Sequence, residues 1–277
     1  MTTQSFIKMH GIGNDFVIID TRLKRIDLNR RQVCALTDRH IGIGCDQLIL
    51  LEKPQDKHAD AFMRIYNADG SSAEACGNGA RCVASILLSE NHDNHAIIET
   101  NSGLLDVHST EDNLFSVDMG PANLDWRDIP LKKAMDTISL SIGSGPLQDP
   151  VGVNIGNPHA VFFVDDAENI NLAQHGPIME RHKLFPKNAN IGVASIKSSN
   201  EIRLRVWERG VGETLACGSG ACAAVVAANR RSLCGREASV QLNGGILHIN
   251  WMADNHVLMT GPVATSFSGI IDLNFLT

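Results

Sequence analysis

Two short runs hold the groups best suited to chemistry, Ala75-Cys76-Gly77-Asn78-Gly79-Ala80 and Ala216-Cys217-Gly218-Ser219-Gly220-Ala221. Each follows an apolar, strand-like segment (61–66 and 202–207) and opens a stretch that reads as a buried helix. A thiol at a helix start sits where the helix dipole and the unpaired backbone N–H groups favour its anion. Glycines beside it let the backbone approach an anionic ligand group closely. An α-amino acid whose carboxylate lay on two such helix starts would have one sulfur on either face of its Cα. One thiolate could then remove the Cα proton while the opposite thiol delivers another, inverting the stereocentre. The two groups would titrate as a coupled pair, one thiolate and one thiol.

The elements that must position these thiols come as a repeat. Gly13-Asn14 matches Gly156-Asn157, Arg39-His40 matches Arg181-His182, Gln47 falls on Asn190, Asn67 on Glu208, Cys76 on Cys217, and Gly120-Pro121 on Gly261-Pro262, at offsets of 141 to 143 residues. Matches in one order, at an offset that drifts by two residues, indicate a tandem duplication. Each half reads as strand, amphipathic helix ending near the Arg-His pair, several strands, buried helix, then hairpin-like strands with turns at Asn101-Ser102-Gly103 and Asn243-Gly244-Gly245. The second cysteine helix, Gly218 to Arg230, is apolar all round and must be surrounded by protein. The expected fold class is therefore α+β: two pseudo-symmetric, barrel-like halves, each a curved, mostly antiparallel sheet around a central helix. The halves are expected at 1–121, carrying Cys76, and 122–264, carrying Cys217. The linker falls at 122–133, and the tail 265–277 is one more strand returning to the first half.

Composition narrows the function classes. With 43% apolar and 20% charged residues in 277, each half can bury a core. A net charge of −7 and no basic or aromatic-basic run argue against nucleic acid. No apolar run reaches the ~18 residues of a membrane span, and residues 1–4 lack the features of a signal peptide. Seven cysteines without a scaffold spacing suit a reduced, cytoplasmic protein. No zinc-type ligand spacing occurs, so no metal is expected. Nor does any pattern mark a pyridoxal-phosphate lysine.

The motifs carry a resemblance along nearly the whole chain. Met9-His10-Gly11-Ile12-Gly13-Asn14-Asp15-Phe16, Cys45-Asp46-Gln47, Tyr66-Asn67-Ala68-Asp69-Gly70-Ser71, the two cysteine runs, Gly156-Asn157-Pro158-His159, Asn188-Ala189-Asn190 and Trp207-Glu208-Arg209-Gly210 resemble those of the diaminopimelate epimerases. The resemblance implies a cofactor-independent conversion of LL- to meso-diaminopimelate, for lysine and peptidoglycan synthesis, with Cys76 and Cys217 as the acid/base pair. It implies a homodimer of two-domain subunits. It implies substrate contacts from Asn14, Gln47, Asn67, Gly77, Asn78, Asn157, Asn190, Glu208, Arg209, Gly218 and Ser219, and tuning of the thiols by His159 and Glu208. The chemistry agrees: a ligand with two zwitterionic ends needs N–H cradles at one end and, at the other, a cation such as Arg209 with acceptors such as Glu208 and the Asn amides.

Plainer readings stand beside these. Cys34, Cys45, Cys82, Cys222 and Cys234 read as small buried hydrophobes. Asn14 and Asn157 could be turn residues, and His159 a satisfied core histidine. Asp15 and Asp69 read as structural. Three other functions remain open: a proline or hydroxyproline racemase, disfavoured by Glu208-Arg209; a redox protein that joins Cys76 to Cys217; and an amino-acid-binding module, which leaves the second thiol without a use.

Overall fold

The computed structural model describes residues 3–73, 76–110, 112 and 114–276. Ala75 of the first cysteine run, Met1 and Thr2 of the N-terminus and Thr277 of the tail lie outside the described residues. The fold is mixed α/β and mostly sheet, with four α-helices among the described residues. Contacts group Met1–Val117 with Gly261–Thr277 as one compact unit and Asp118–Thr260 as another.

The first unit runs β1 (Thr3–Gly11), β2 (Asn14–Asp20), α1 (Arg30–Thr37), β3 (Gln47–Glu52), β4 (Ala61–Asn67), β5 (Ser72–Ala73), α2 (Gly77–Asn91), β6 (His95–Thr100), β7 (Gly103–Ser109) and β8 (Phe115–Pro121). Strands β1–β2, β3–β4, β4–β5, β6–β7 and β7–β8 pair antiparallel, while β2–β3 and β4–β6 pair parallel. A parallel pair needs a crossover, and helices supply both: α1 between β2 and β3, α2 between β4 and β6. Because α1 packs on β3 and α2 packs on β1, β2, β6 and β7, β2 and β3 read as unbroken apolar runs. Phe16 to Ile19 and Leu48 to Leu51 are all buried. Helix α1 opens with a capping box, in which the Asn29 side chain accepts from Gln32 N and Gln32 Oε1 accepts from Asn29 N, both at 3.0 Å. It ends at Thr37, earlier than the sequence suggests. The Asp38 carboxylate accepts from His40 N at 2.7 Å and Ile41 N at 3.0 Å, turning Arg39-His40 out of the helix.

The second unit contains β9 (Gly143–Ser144), β10 (Leu147–Gln148), β11 (Val151–Asn154), β12 (Pro158–Phe163), α3 (Leu172–Glu180), β13 (Asn190–Ser198), β14 (Glu201–Glu208), β15 (Gly212–Thr214), α4 (Gly218–Arg230), β16 (Glu237–Leu242), β17 (Gly245–Trp251) and β18 (His256–Gly261). From β11 onward its pairings follow the order of the first unit. Parallel pairs fall at β12–β13 and β14–β16, and β15 forms a hairpin on β14 as β5 does on β4. Helix α4 begins and ends where its apolar run does, and packs against β11 to β14, β16 and β17. Its alanines and valines, 0% exposed from Ala221 to Ala228, let strands approach it from several sides. The last strand, β19 (Ala264–Asp272), pairs antiparallel with β1 of the first unit.

All seven cysteines are reduced thiols. Cys45, Cys82 and Cys222 are buried as expected, but Cys34 and Cys234 are only half-buried. On the amphipathic α1 the buried residues are Val33, Leu36 and Thr37, which leaves Cys34 at the edge of that face.

Candidate active site

In the first unit, Cys76 is the N-cap of α2, with φ −147° and ψ 108°, and its Sγ accepts from Gly79 N at 3.4 Å. A sulfur here meets the first-turn N–H groups that no helical carbonyl satisfies. The N–H groups of Gly77 and Asn78 belong to that same first turn. Gly79 lacks a side chain for reasons of space, since a Cβ there would lie 2.9 Å from Ile49 Cδ1. The Asn14 Oδ1 atom accepts from the Cys76 thiol at 3.8 Å and from Asn78 Nδ2 at 3.2 Å. Asn78 Oδ1 in turn accepts from the fully buried Arg81 at 3.0 Å. Asn14 Nδ2 donates to Asp46 at 3.0 Å, and Asp46 is held by Arg39 at 2.8 Å. Gln47 and Asn67, directly opposite each other on β3 and β4, form a separate pair in which Gln47 Nε2 donates to Asn67 Oδ1 at 2.9 Å. Gln47 Oε1 is buried and meets no donor among the described residues. Asp15, read as structural, accepts from Arg39 and Lys8; burial pushes its carboxyl up, but these two cations more than offset that and hold it low.

The second unit places Cys217 at the same point of α4, 4% exposed. Its thiol is pushed well up from 9.0, first by burial and then by the charge of Glu208. Gly220 N–H and the Ser219 hydroxyl offset this only in part. Cys217 therefore rests as a neutral thiol. Ser219 Oγ lies 3.7 Å from Cys217 Sγ and 3.1 Å from His159 Nε2, which is 2.8 Å from Asn157 Oδ1. Burial, with a smaller push from the Arg209 cation, lowers the His159 imidazole to about 3, so it is neutral near pH 7. The amide oxygen of Asn157 requires the proton on Nε2, leaving the buried Nδ1 as a bare lone pair. Glu208, at the end of β14, accepts from the Thr214 hydroxyl. Asn190 Oδ1 accepts from Arg209 N at 2.9 Å while its Nδ2 donates to Pro158 O at 3.1 Å. The N–H groups of Gly218 and Ser219 stand in the first turn of α4, as those of Gly77 and Asn78 do in α2.

The first unit brings Asn14 and Asn78 to Cys76 and keeps Gln47 with Asn67 as a separate pair; the second links Cys217, Ser219, His159 and Asn157, sets Glu208 beside the thiol, and ties Asn190 to the Arg209 backbone. Sequence reasoning missed Asp46, Arg81, Thr214 and Glu180. Thr214 and Arg81 lie inside the quoted motifs or next to them. Asp46 also stands in a quoted motif, Cys45-Asp46-Gln47, whereas Glu180 reaches its partners only through the fold. Among the described residues, no group of three or more His, Cys, Asp or Glu could hold a metal ion, and no helix is long and apolar enough to cross a membrane.

The fold is one shared with solved racemases and related proteins. A hydroxyproline epimerase from Agrobacterium vitis superimposes with a TM-score of 0.68 at 12% identity, covering 97% of this chain and 92% of that one. A phenazine biosynthesis protein of the PhzF family from Bacillus anthracis gives 0.69 at 14%, covering 98% and 100%. The family model described as diaminopimelate epimerase matches residues 6–124 and 151–266. The diaminopimelate epimerase of Rhodospirillum centenum is 54% identical over 264 residues, 95% of this chain and 91% of that protein. That of Acidiphilium cryptum is 51% identical over 271 residues, 98% and 97%. The chain belongs to the diaminopimelate epimerase family, a family of isomerases.

Proposed function

We propose that the chain converts LL- to meso-diaminopimelate by exchanging the proton on one α-carbon between Cys76 and Cys217, without a cofactor. The observation that carries this reading is the recurrence, in two units of the same strand pairing, of a thiol at the N-cap of a helix in contact with a polar cluster. Family membership at about half identity over nearly the whole chain supports the substrate.

In this reading the reacting carboxylate lies on the N–H groups of Gly77, Asn78, Gly218 and Ser219. Those donors stabilise charge as it develops at the α-carbon; one such donor is typically worth ~3–4 kcal/mol. The Cys217 thiol, held neutral by burial and by Glu208, is suited to giving a proton. It becomes a base once protons are redistributed on binding. The neutral His159 and Ser219 hold its surroundings without adding positive charge. Asn14 orients the Cys76 thiol. Arg209 binds the distal carboxylate, and Glu208, Asn67, Gln47, Asn157 and Asn190 line the distal end, so a ligand lacking that end leaves them unpaired.

The same reading includes a tandem duplication with halves at 1–121 and 122–264, a barrel-like sheet around α2 and around α4, a cytoplasmic location and a homodimer. The test is deuterium uptake at Cα in D2O from LL- and meso-substrate with Cys76→Ser and Cys217→Ser. Each variant should lose epimerisation. Full epimerisation by either variant would refute the two-thiol reading, and exchange with proline alone would refute the diaminopimelate assignment.

A further inference from the structure

Glu180 closes α3 with its side chain only 3% exposed, at the end of a helix where the dipole disfavours an anion. No cation pairs with it among the described residues. Two neutral donors hold it instead: Trp207 Nε1 donates to Oε2 at 2.8 Å, and Gly210 N donates to Oε1 at 3.0 Å. These donors flank Glu208 and Arg209. One helical turn earlier, Gly176 makes room for the same indole, for a Cβ there would lie 2.6 Å from Trp207 Cγ.

The segment so held is a tight turn. Val211 N donates to Glu208 O at 3.1 Å, and Gly210 has φ +76°. A turn of this kind, with glycine third and in the left-handed region, differs from its commoner alternative by a flip of the central peptide. Here that peptide joins Arg209 to Gly210, and its N–H is the group Glu180 accepts. A second anchor, Asn190 Oδ1, accepts from Arg209 N. Two converging N–H donors need two acceptor oxygens in one rigid plane. A carboxylate supplies them, whereas an amide supplies one oxygen and one NH2 that would face a donor.

We propose that Glu180 is a positioning residue for substrate recognition, fixing the Arg209–Gly210 peptide and with it the Arg209 side chain. The inference rests on the reading that Arg209 binds the distal end of diaminopimelate.

The experiment is steady-state kinetics with diaminopimelate on the full chain. Glu180→Gln should raise KM about tenfold with kcat changed less than about twofold, as for loss of uniform binding. A merely structural defect would lower the active fraction, and so kcat, and leave KM alone. Trp207→Phe removes the donor facing Oε2, so in that background a glutamine can turn its oxygen to Gly210 N. The KM effect of Glu180→Gln should therefore shrink to less than about threefold in the double variant. Glu180→Gln with an unchanged KM, or the same rise with and without Trp207→Phe, overturns the inference. Should Glu180→Gln fail to fold alone, the KM of the double variant against Trp207→Phe decides, a rise of about tenfold or more overturning it. Arg209→Ala separates the two failures: a raised KM there with none for Glu180→Gln removes only the positioning role, whereas an unchanged KM for Arg209→Ala removes the distal-end reading as well.

Discussion

The amide oxygen of Asn14 accepts from both the Cys76 thiol and the Asn78 side chain, at 3.8 Å and 3.2 Å. Asp46 takes its amide nitrogen from the other side, which fixes which way the amide faces. Asn14→Leu keeps the approximate shape but leaves two donors without an acceptor. A lost partner of this kind costs about 1–3 kcal/mol, so kcat/KM should fall about 10- to 100-fold. Cα deuterium exchange should fall more for the stereoisomer whose proton Cys76 removes. Equal loss for both stereoisomers would count against a role confined to Cys76.

Glu208 is the second-largest cause raising the Cys217 thiol, after burial. Glu208→Gln removes a negative charge beside it, and a lost like charge favours the thiolate. The alkylation rate of Cys217 in the free protein, followed by peptide mass spectrometry, should rise at lower pH than in the wild type. Burial still acts, so the thiol should remain above its ordinary value. An unshifted profile would separate Glu208 from the tuning role.

His159 is held near 3 in the folded chain, against an ordinary 6.5. Between those values the unfolded chain binds a proton that the folded chain refuses. Stability therefore falls as pH drops from about 6.5 toward 3 and gains nothing from this group above 6.5. The contribution is on the order of a few kcal/mol across that window. His159→Gln should flatten the dependence of Tm on pH between 4 and 6.5, whatever it does to Tm at pH 7. Parallel curves would show that other groups govern acid unfolding.

Gly79 tests the packing behind the first thiol. A Cβ at this position meets Ile49 Cδ1 at 2.9 Å and Phe16 Cε1 at 3.4 Å, both side chains of a closed core. Gly79→Ala should cost about 1–3 kcal/mol by overpacking. Ile49→Val, which removes the nearest atom, should recover part of it. Urea unfolding of the two single variants and the double variant measures the coupling.

Much of this was legible in the sequence because the signals are local or repeated. The bounds of α4 follow from where its alanine and valine run starts and stops, and the cysteine N-caps follow from glycines after strands. Two residues, Asn67 and Glu208, were matched by position alone, and they lie at corresponding ends of β4 and β14. What stayed hidden depends on distance in the chain. Glu180 meets Trp207 across 27 positions, and no spacing announces that pairing. The end of α1 was missed because Asp38 competes for the backbone two and three residues on. The inequality of the two caps was also out of reach. Cys76 is only half-buried, whereas Cys217 is buried and faces the Glu208 carboxylate.

That inequality has an evolutionary corollary. A pair of identical half-length chains must carry any new acid twice, once in each copy. Under the duplication proposed above, joining the copies into one polypeptide lets the end of β14 carry Glu208 while the end of β4 carries the uncharged Asn67.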